Sequence, residues 1–315
     1  MKKLADATQI LKRHPANPLI KPADYPGVMQ TYNPSPVMYN GETIILLSML
    51  FYKQERLGET RVARSRDGIH FEIEDKPFIN LNINEFPYNF VNRHIIDNRV
   101  TQIDDTYYIL TPVMAGQFDG PATVLGKTKD FKKYEVMDVI TLPRNRGASL
   151  FPRRINGKYY KLDRPGGGNA SEGLIWLSSS PDLIHWGSFR PVLSPFAEYG
   201  KSKMGPTPPI WTERGWLVII HAVHEPCDGP HYSIGAILLD LEQPWNVIGR
   251  TYSPLLTPQM DYETRGWVDN VVFPCGAIAD YEKDELRMYY GAADTRICLA
   301  TGSISEVVDA CIQNV

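Results

Sequence analysis

Five times along the chain a polar turn runs straight into a short apolar, aromatic-rich segment. Asn40-Gly41 precedes Thr43-Ile44-Ile45-Leu46-Leu47, Asp104-Asp105 precedes Tyr107-Tyr108-Ile109-Leu110, and Asn156-Gly157 precedes Tyr159-Tyr160. Gly215 then precedes Trp216-Leu217-Val218-Ile219-Ile220, and Asp284 precedes Leu286-Arg287-Met288-Tyr289-Tyr290. In the first three copies a second signature follows: Ser65-Arg66-Asp67-Gly68-Ile69-His70-Phe71, Thr128-Lys129-Asp130-Phe131-Lys132-Lys133-Tyr134 and Ser180-Pro181-Asp182-Leu183-Ile184-His185-Trp186. Each places an aromatic four residues after its aspartate. Short strands divided by Gly, Asn and Asp turns and repeated at one period are the sequence form of a β-propeller. Five copies predict an all-β, five-bladed propeller. A short C-terminal helix is also predicted, because Ser303 and Glu306 have capping-box spacing and Ile304, Val307, Val308, Cys311, Ile312 and Val315 share one face. It is expected to pack on the propeller, with a contact in a homo-oligomer as the alternative.

A repeat running from about Asn33 to Ala300 leaves no room for a boundary, so residues 1–315 are expected to form a single domain. With 24 glycines, 25 prolines and 43% hydrophobic residues the chain is turn-rich and has a large core, and no segment approaches the ~20 apolar residues that span a bilayer. Met1-Lys2-Lys3-Leu4-Ala5-Asp6 lacks the apolar stretch of a secretory signal, and Cys227, Cys275, Cys298 and Cys311 show neither metal-ligand nor redox spacing. The expectation is a cytoplasmic protein with reduced core cysteines and no metal. A net charge of −3 argues against nucleic acid or an anionic membrane as partner.

In a propeller, polar residues at the same late position of successive strands meet around one central cavity. Here the third repeat strand ends in Asp163-Arg164-Pro165, the fourth in His221-Ala222-Val223-His224 and the fifth in Gly291-Ala292-Ala293-Asp294-Thr295. Asp97-Asn98-Arg99, Asn145-Arg146-Gly147 and Lys203-Met204-Gly205 lie just before repeat strands. Each has an ordinary alternative: a turn aspartate bonded to backbone amides for Asp97, an ion pair at a blade seam for Arg146, a solvated loop lysine for Lys203. His221 and His224 stand three apart on a strand, point to opposite faces and make no zinc pair. One carboxylate among two arginines, a lysine and a histidine is a poor set for hydrolysis, which normally uses two carboxylates. It suits phosphorolysis, where phosphate brings its own charge and needs forked guanidiniums and a lysine to hold it.

At these residues the chain resembles glycoside hydrolase family 130, the β-mannoside phosphorylases and related β-mannosidases. The likeness runs through Arg146, Leu150-Phe151-Pro152-Arg153-Arg154-Ile155-Asn156-Gly157-Lys158-Tyr159 and Arg164-Pro165, then Lys203, Gly205, Pro209-Ile210, Gly215-Trp216-Leu217 and His221. It continues through Leu238-Leu239-Asp240-Leu241, Tyr262-Glu263, Asn270-Val271-Val272-Phe273-Pro274 and Tyr289-Tyr290-Gly291-Ala292-Ala293-Asp294-Thr295. The resemblance implies a five-bladed propeller and an inverting mechanism without cofactor, with inorganic phosphate as co-substrate. Asp97 matches the general acid, which acts through the 3-hydroxyl of the mannosyl unit. Arg146, Arg164, Lys203 and His221 match phosphate-binding positions, joined by Tyr232; Asn33 and Asp294 match positions that hold the mannosyl unit, and Arg99 is a further candidate beside them. Four departures stand out. Leu47-Ser48-Met49-Leu50-Phe51-Tyr52 replaces a stretch where the family usually has an arginine, Asn98 a proline and Ala222 a glycine, and the Gly205-Pro206-Thr207-Pro208-Pro209 loop is one residue short. The acceptor sugar is expected near Phe86 to His94.

The expected activity is phosphorolysis of a β-mannoside to α-mannose 1-phosphate and a shortened sugar, with an oligosaccharide or disaccharide and phosphate as the partners. The alternatives are a β-mannosidase using Asp163, Glu225 or Glu263 as base, and a propeller that only binds carbohydrate.

Overall fold

The computed structural model describes residues 6–52, 58–81, 94–114, 120–166 and 174–313. Within them the chain forms five antiparallel sheets of four or five strands. The first four follow chain order: Val28–Tyr39, Glu42–Phe51, Gly58–Ser65 and Glu72–Ile73 make the first blade, and Arg99–Ile103, Thr106–Met114, Pro121–Thr128 and Glu135–Val139 the second. The third runs from Ser149–Leu150 to Gly187–Leu193 and the fourth from Lys203–Pro206 to Val247–Arg250. The fifth departs from this order. Its outer strand is Lys12–Arg13, from the other end of the chain, paired with Arg296–Ser303 in the register Lys12 to Thr301 and Arg13 to Ala300. The ring is thus closed by hydrogen bonds between the two ends of the sequence, and Arg13 secures the closure through a two-pronged ion pair with buried Glu263, at 2.7 and 2.8 Å.

The apolar runs that mark the repeat are the second strands of their blades, buried on both faces. Along Glu42–Phe51, Ile44 and Leu46 face the seam with the second blade, and Ile45 and Leu47 the seam with the fifth. Along Gly215–His224, Trp216, Val218 and Ile220 face the third blade while Leu217 and Ile219 face the fifth. Burial on both sides explains why the sequence reads as continuous apolar runs rather than alternation. Each pair of adjacent blades shares one apolar cluster, so the core is a ring of seams.

The polar signatures have local causes. Asn40, Asp104, Asn156 and Asp284 all take left-handed backbone conformations, φ 48° to 53°, at tight turns between neighbouring strands. In the Asp67, Asp130 and Asp182 motifs one carboxylate oxygen accepts two successive backbone amides, at 2.9 to 3.0 Å. That turn swings the following aromatic into a seam: Phe71 packs on Tyr289, Tyr134 on Phe78, and Trp186 into the cluster joining the second and third blades.

The helix forms over Ile304–Ile312, its first turn capped by Ser303 Oγ, which accepts from the Glu306 amide at 3.0 Å; Val315 of the expected stripe lies outside the described residues. It packs on the fourth blade, where Gly249 meets the Cys311 carbonyl. Cys275, Cys298 and Cys311 are buried free thiols, but Cys227 is exposed in the loop after Gly215–His224 and corrects the expectation of four core cysteines.

Candidate active site

The cavity forms where strands of all five blades meet the channel, and three of its residues hold a backbone that only a supported site retains. Asn33 (φ 49°) sits at the irregularity within Val28–Tyr39, Asp97 (φ 58°) just before Arg99–Ile103, and Asp294 (φ 46°) just after Glu285–Ala292. Each such conformation costs about 1 kcal/mol or more. The supports are visible. Ser48 Oγ accepts from the Asp97 amide at 3.2 Å, and a Cβ at Gly291 would stand 2.7 Å from Asn33 Oδ1, so glycine is what lets Asn33 approach. Asn98 is fully buried; its amide donates to Thr60 Oγ1 and accepts from Thr111 Oγ1, both at 2.7 Å. Where the family usually has a proline, this chain holds the Asp97 loop with a hydrogen-bonded tie across the first two blades.

The cavity encloses about 120 Å³ and is lined by Asn33, Asp97, Arg99, Arg146, Arg164, Lys203, Tyr232 and Asp294, with Val271 and Phe273 as its apolar wall. Eight of the nine sequence candidates therefore meet in one place. Asp97 Oδ1 accepts from Asn33 Nδ2 at 2.5 Å, and its Oδ2 accepts from Arg146 through Nε at 2.9 Å and again through Nη2. Asp97 is thus neither a turn aspartate nor free, and Arg146 belongs to the cavity rather than to a blade seam. Arg99 is buried, with Nη1 donating to the Asp97 carbonyl at 2.5 Å. Lys203 Nζ donates to Tyr232 OH at 3.0 Å.

His221 is the exception. It stands behind the lining, stacked on Phe273 at 4.3 Å between ring centroids, and its Nε2 lies 3.2 Å from Arg164 Nη1. A guanidinium only donates, so Nε2 is the acceptor and the proton resides on Nδ1. A Cβ at Gly205, the cross-strand partner of His221 in Lys203–Pro206, would collide with this ring, which accounts for the glycine there.

Burial and the crowd of cations set the charge states. Burial alone would raise the Asp97 carboxyl, but the Arg146 and Arg99 charges overcome it and hold the group down at about 2. Asp294 moves the other way, raised to about 6 by burial and by the Asp97 charge, against Arg146 and Lys203. Burial, then the charges of Arg146 and Arg99, pull Arg164 down to about 9; burial and Arg164 push His221 well below its ordinary 6.5, leaving it neutral. A guanidinium depressed by other guanidiniums marks a place short of negative charge.

Sequence reasoning missed Ser48, Val271 and Phe273. The last two stand in the Asn270 to Pro274 segment and could have been found there, whereas Ser48 carries no signal of its own. The three carboxylates expected as hydrolytic bases are absent from the lining. Glu225 is exposed, Glu263 is committed to Arg13 and Tyr290, and Asp163 is held by Lys161, Ser178 and Asn145. Of the proposed acceptor region, residues 86–93 lie outside the described residues, and His94 Nδ1 accepts from the Gly58 amide at 2.9 Å. Among the described residues no cluster of His, Cys, Asp and Glu could hold a metal ion.

The chain matches the family described as beta-1,4-mannooligosaccharide phosphorylase over residues 6–313. It is 42% identical over 256 residues to the beta-1,2-mannobiose phosphorylase of Listeria innocua, covering 80% of this chain and 68% of that protein. It is 34% identical over 317 residues to the beta-1,4-mannooligosaccharide phosphorylase of Ruminococcus albus, covering 98% and 92%. The solved structure of the Listeria innocua beta-1,2-mannobiose phosphorylase with beta-1,2-mannobiose superposes with a TM-score of 0.85 at 34% identity, over 96% of this chain and 99% of that one. With the propeller, the ordered motifs and a match over nearly its whole length, this chain belongs to glycoside hydrolase family 130, the family of the mannoside phosphorylases.

Proposed function

We propose that this protein is an inverting phosphorylase that cleaves a β-mannoside with inorganic phosphate, giving α-mannose 1-phosphate and a shortened sugar. The observation that carries the reading is the convergence of Arg146, Arg164 and Lys203, with Arg99 beside them, on a cavity whose one firmly ionised carboxylate is Asp97. That surplus of forked and point cations suits a phosphate dianion. The relatives named above act on β-1,2 and β-1,4 mannosides, which supports the donor sugar and leaves the linkage open.

In this reading Asn33 and Asp294 hold the mannosyl unit, and phosphate lies against Arg146, Arg164, Lys203 and Tyr232, with His221 steadying Arg164 from behind. A phosphate oxygen attacks C1 from the α face as the bond from C1 to the leaving oxygen breaks, and Asp97 supplies that oxygen's proton through the 3-hydroxyl. Arg146 links the two events. Of the two cations that keep Asp97 ionised it is the stronger, and an incoming phosphate competes for the same guanidinium, so phosphate binding favours the protonated acid. No cofactor is needed. A cytoplasmic location goes with the reading, because a charged sugar phosphate does not cross a bilayer.

A hydrolytic reading rests on Asp294, the second carboxylate of the cavity. The deciding experiment incubates β-1,2- and β-1,4-linked manno-disaccharides with and without phosphate. Mannose 1-phosphate formed only when phosphate is present is the expected result. Free mannose released at an equal rate in phosphate-free buffer overturns the phosphorylase assignment.

A further inference from the structure

Arg146 and Arg164 belong to two segments that run side by side. Arg146 N donates to the Arg164 carbonyl at 3.3 Å, Gly166 N donates to the Arg144 carbonyl at 2.6 Å, and Asn145 bridges to Pro165. Beneath this short ladder lies a buried ionic cluster that the proposed chemistry does not use. Asp163 is 2% exposed and Lys161 0%. The Asp163 carboxylate accepts from Lys161 Nζ on both oxygens, from Ser178 Oγ at 2.6 Å and from Asn145 Nδ2 at 3.0 Å. The Lys161 ammonium also lies 4.8 Å from the centroid of the Trp186 ring.

With these donors arranged around it, Asp163 has no room to act on substrate. Its bond to Asn145 reaches further. Asn145 Oδ1 accepts from the Arg164 amide at 3.3 Å, its own amide donates to the Pro121 carbonyl at 2.9 Å, and its carbonyl accepts from Thr123 Oγ1 at 3.3 Å. One asparagine side chain therefore ties the residue before Arg146 to the residue before Arg164 and to the latter's own amide, while its backbone fastens both to the second blade. Asp97 and His221 hold the two guanidiniums at their tips, and the Asn145 tie holds together the backbones from which they project.

We infer that Asp163, acting through Asn145, is the positioning residue that fixes the distance and angle between the Arg146 and Arg164 guanidiniums, and so sets the affinity for phosphate. The inference rests on the phosphate reading of the cavity. A buried lysine and aspartate in the third blade are otherwise a costly way to fill core, because an apolar pair of the same volume packs there without desolvating charge.

Two variants test it. Asn145→Ala removes the tie and leaves the Lys161 and Asp163 pair intact. The double variant Lys161→Met, Asp163→Leu removes the pair without stranding a lone buried charge. In both, the phosphate KM is expected to rise about tenfold or more, because misplacing a bidentate clamp by a fraction of an ångström forfeits its alignment. The saccharide KM stays within about twofold and kcat at saturating phosphate falls far less than the phosphate KM rises. Isothermal titration of inorganic phosphate into each protein reads the same loss without turnover. A purely structural role lowers the melting temperature and leaves phosphate affinity unmoved, and that result in Asn145→Ala overturns the inference, whether or not the double variant folds. Wild-type turnover that ignores phosphate overturns the phosphorylase reading together with the inference. Phosphate-dependent wild type with unchanged phosphate KM in Asn145→Ala overturns the inference alone.

Discussion

Replacing Arg146 with alanine separates its two roles. The guanidinium reaches Asp97 Oδ2 through both Nε and Nη2, and it stands with Arg164 and Lys203 around the cavity. A hydrogen bond between charged groups contributes about 1.5–3 kcal/mol, so the loss of one such contact to phosphate raises the phosphate KM by roughly ten- to a hundredfold. Initial rates of mannose 1-phosphate formation across a phosphate titration measure this, and the saccharide KM should change much less. The second effect is on stability. Asp97 is held at about 2 against an ordinary 3.8, which makes it a depressed acid, and its contribution of about 2 kcal/mol is present above pH 4 and lost as pH falls towards 2. Without Arg146, burial dominates and the carboxyl moves up. The variant should therefore melt lower than wild type at pH 7, and the gap should narrow towards pH 3. An unchanged phosphate KM would refute the anion site, and a gap independent of pH would refute the pairing with Asp97.

Asp97→Asn keeps the shape but carries no transferable proton, so kcat should fall by about 10² to 10⁴ with the fold retained; near-normal turnover with an unchanged melting curve removes Asp97 as the acid. Asp294 is raised to about 6, so the folded state binds its proton more tightly than the unfolded chain, and stability falls as pH rises from about 4 to 6. Asp294→Asn should accordingly stabilise the protein by roughly 3 kcal/mol at pH 7 and by little at pH 4, in urea titrations, while abolishing turnover. Arg13→Ala leaves Glu263 buried with its hydrogen bonds but no charge partner; a loss of about 3–5 kcal/mol in the same assay is expected, and a loss under about 1 kcal/mol contradicts the closure role.

The blade count was legible because its signals are local. Asn40, Asp104, Asn156 and Asp284 each commit a turn to a left-handed residue, and the run that follows is apolar on both faces because each strand lies between two seams. The helix at Ile304–Ile312 was readable for the same reason, since cap and stripe lie within ten residues. The candidate residues were legible mainly through their place in the repeat and through the family resemblance. Other features had no local sign. Lys12–Arg13 carries no mark of a strand, and only closure of the ring supplies its partner at Ala300 and Thr301. Ser48 and Asn98 are ordinary polar residues until the first and second blades bring them to the Asp97 loop.

The chemistry of the cavity was decided by tertiary structure alone. Asp97 and Asp294 are the same residue type, yet one is held at about 2 and the other raised to about 6: at Asp97 the Arg146 and Arg99 charges outweigh burial, whereas at Asp294 burial and the Asp97 charge outweigh the cations. His221 reads as a ligand in the sequence, and packing stacks it on Phe273 outside the cavity lining, neutral and accepting from Arg164. Asp163 reads as a spare base, and burial with Lys161 makes it a fixture of the third blade. A repeat period specifies which residues face the channel, since that depends on backbone geometry and the alternation of apolar contacts. A charge state depends on every other charge and on the water displaced within several ångströms, and those neighbours, from position 33 to position 294, are assembled only when the five blades close.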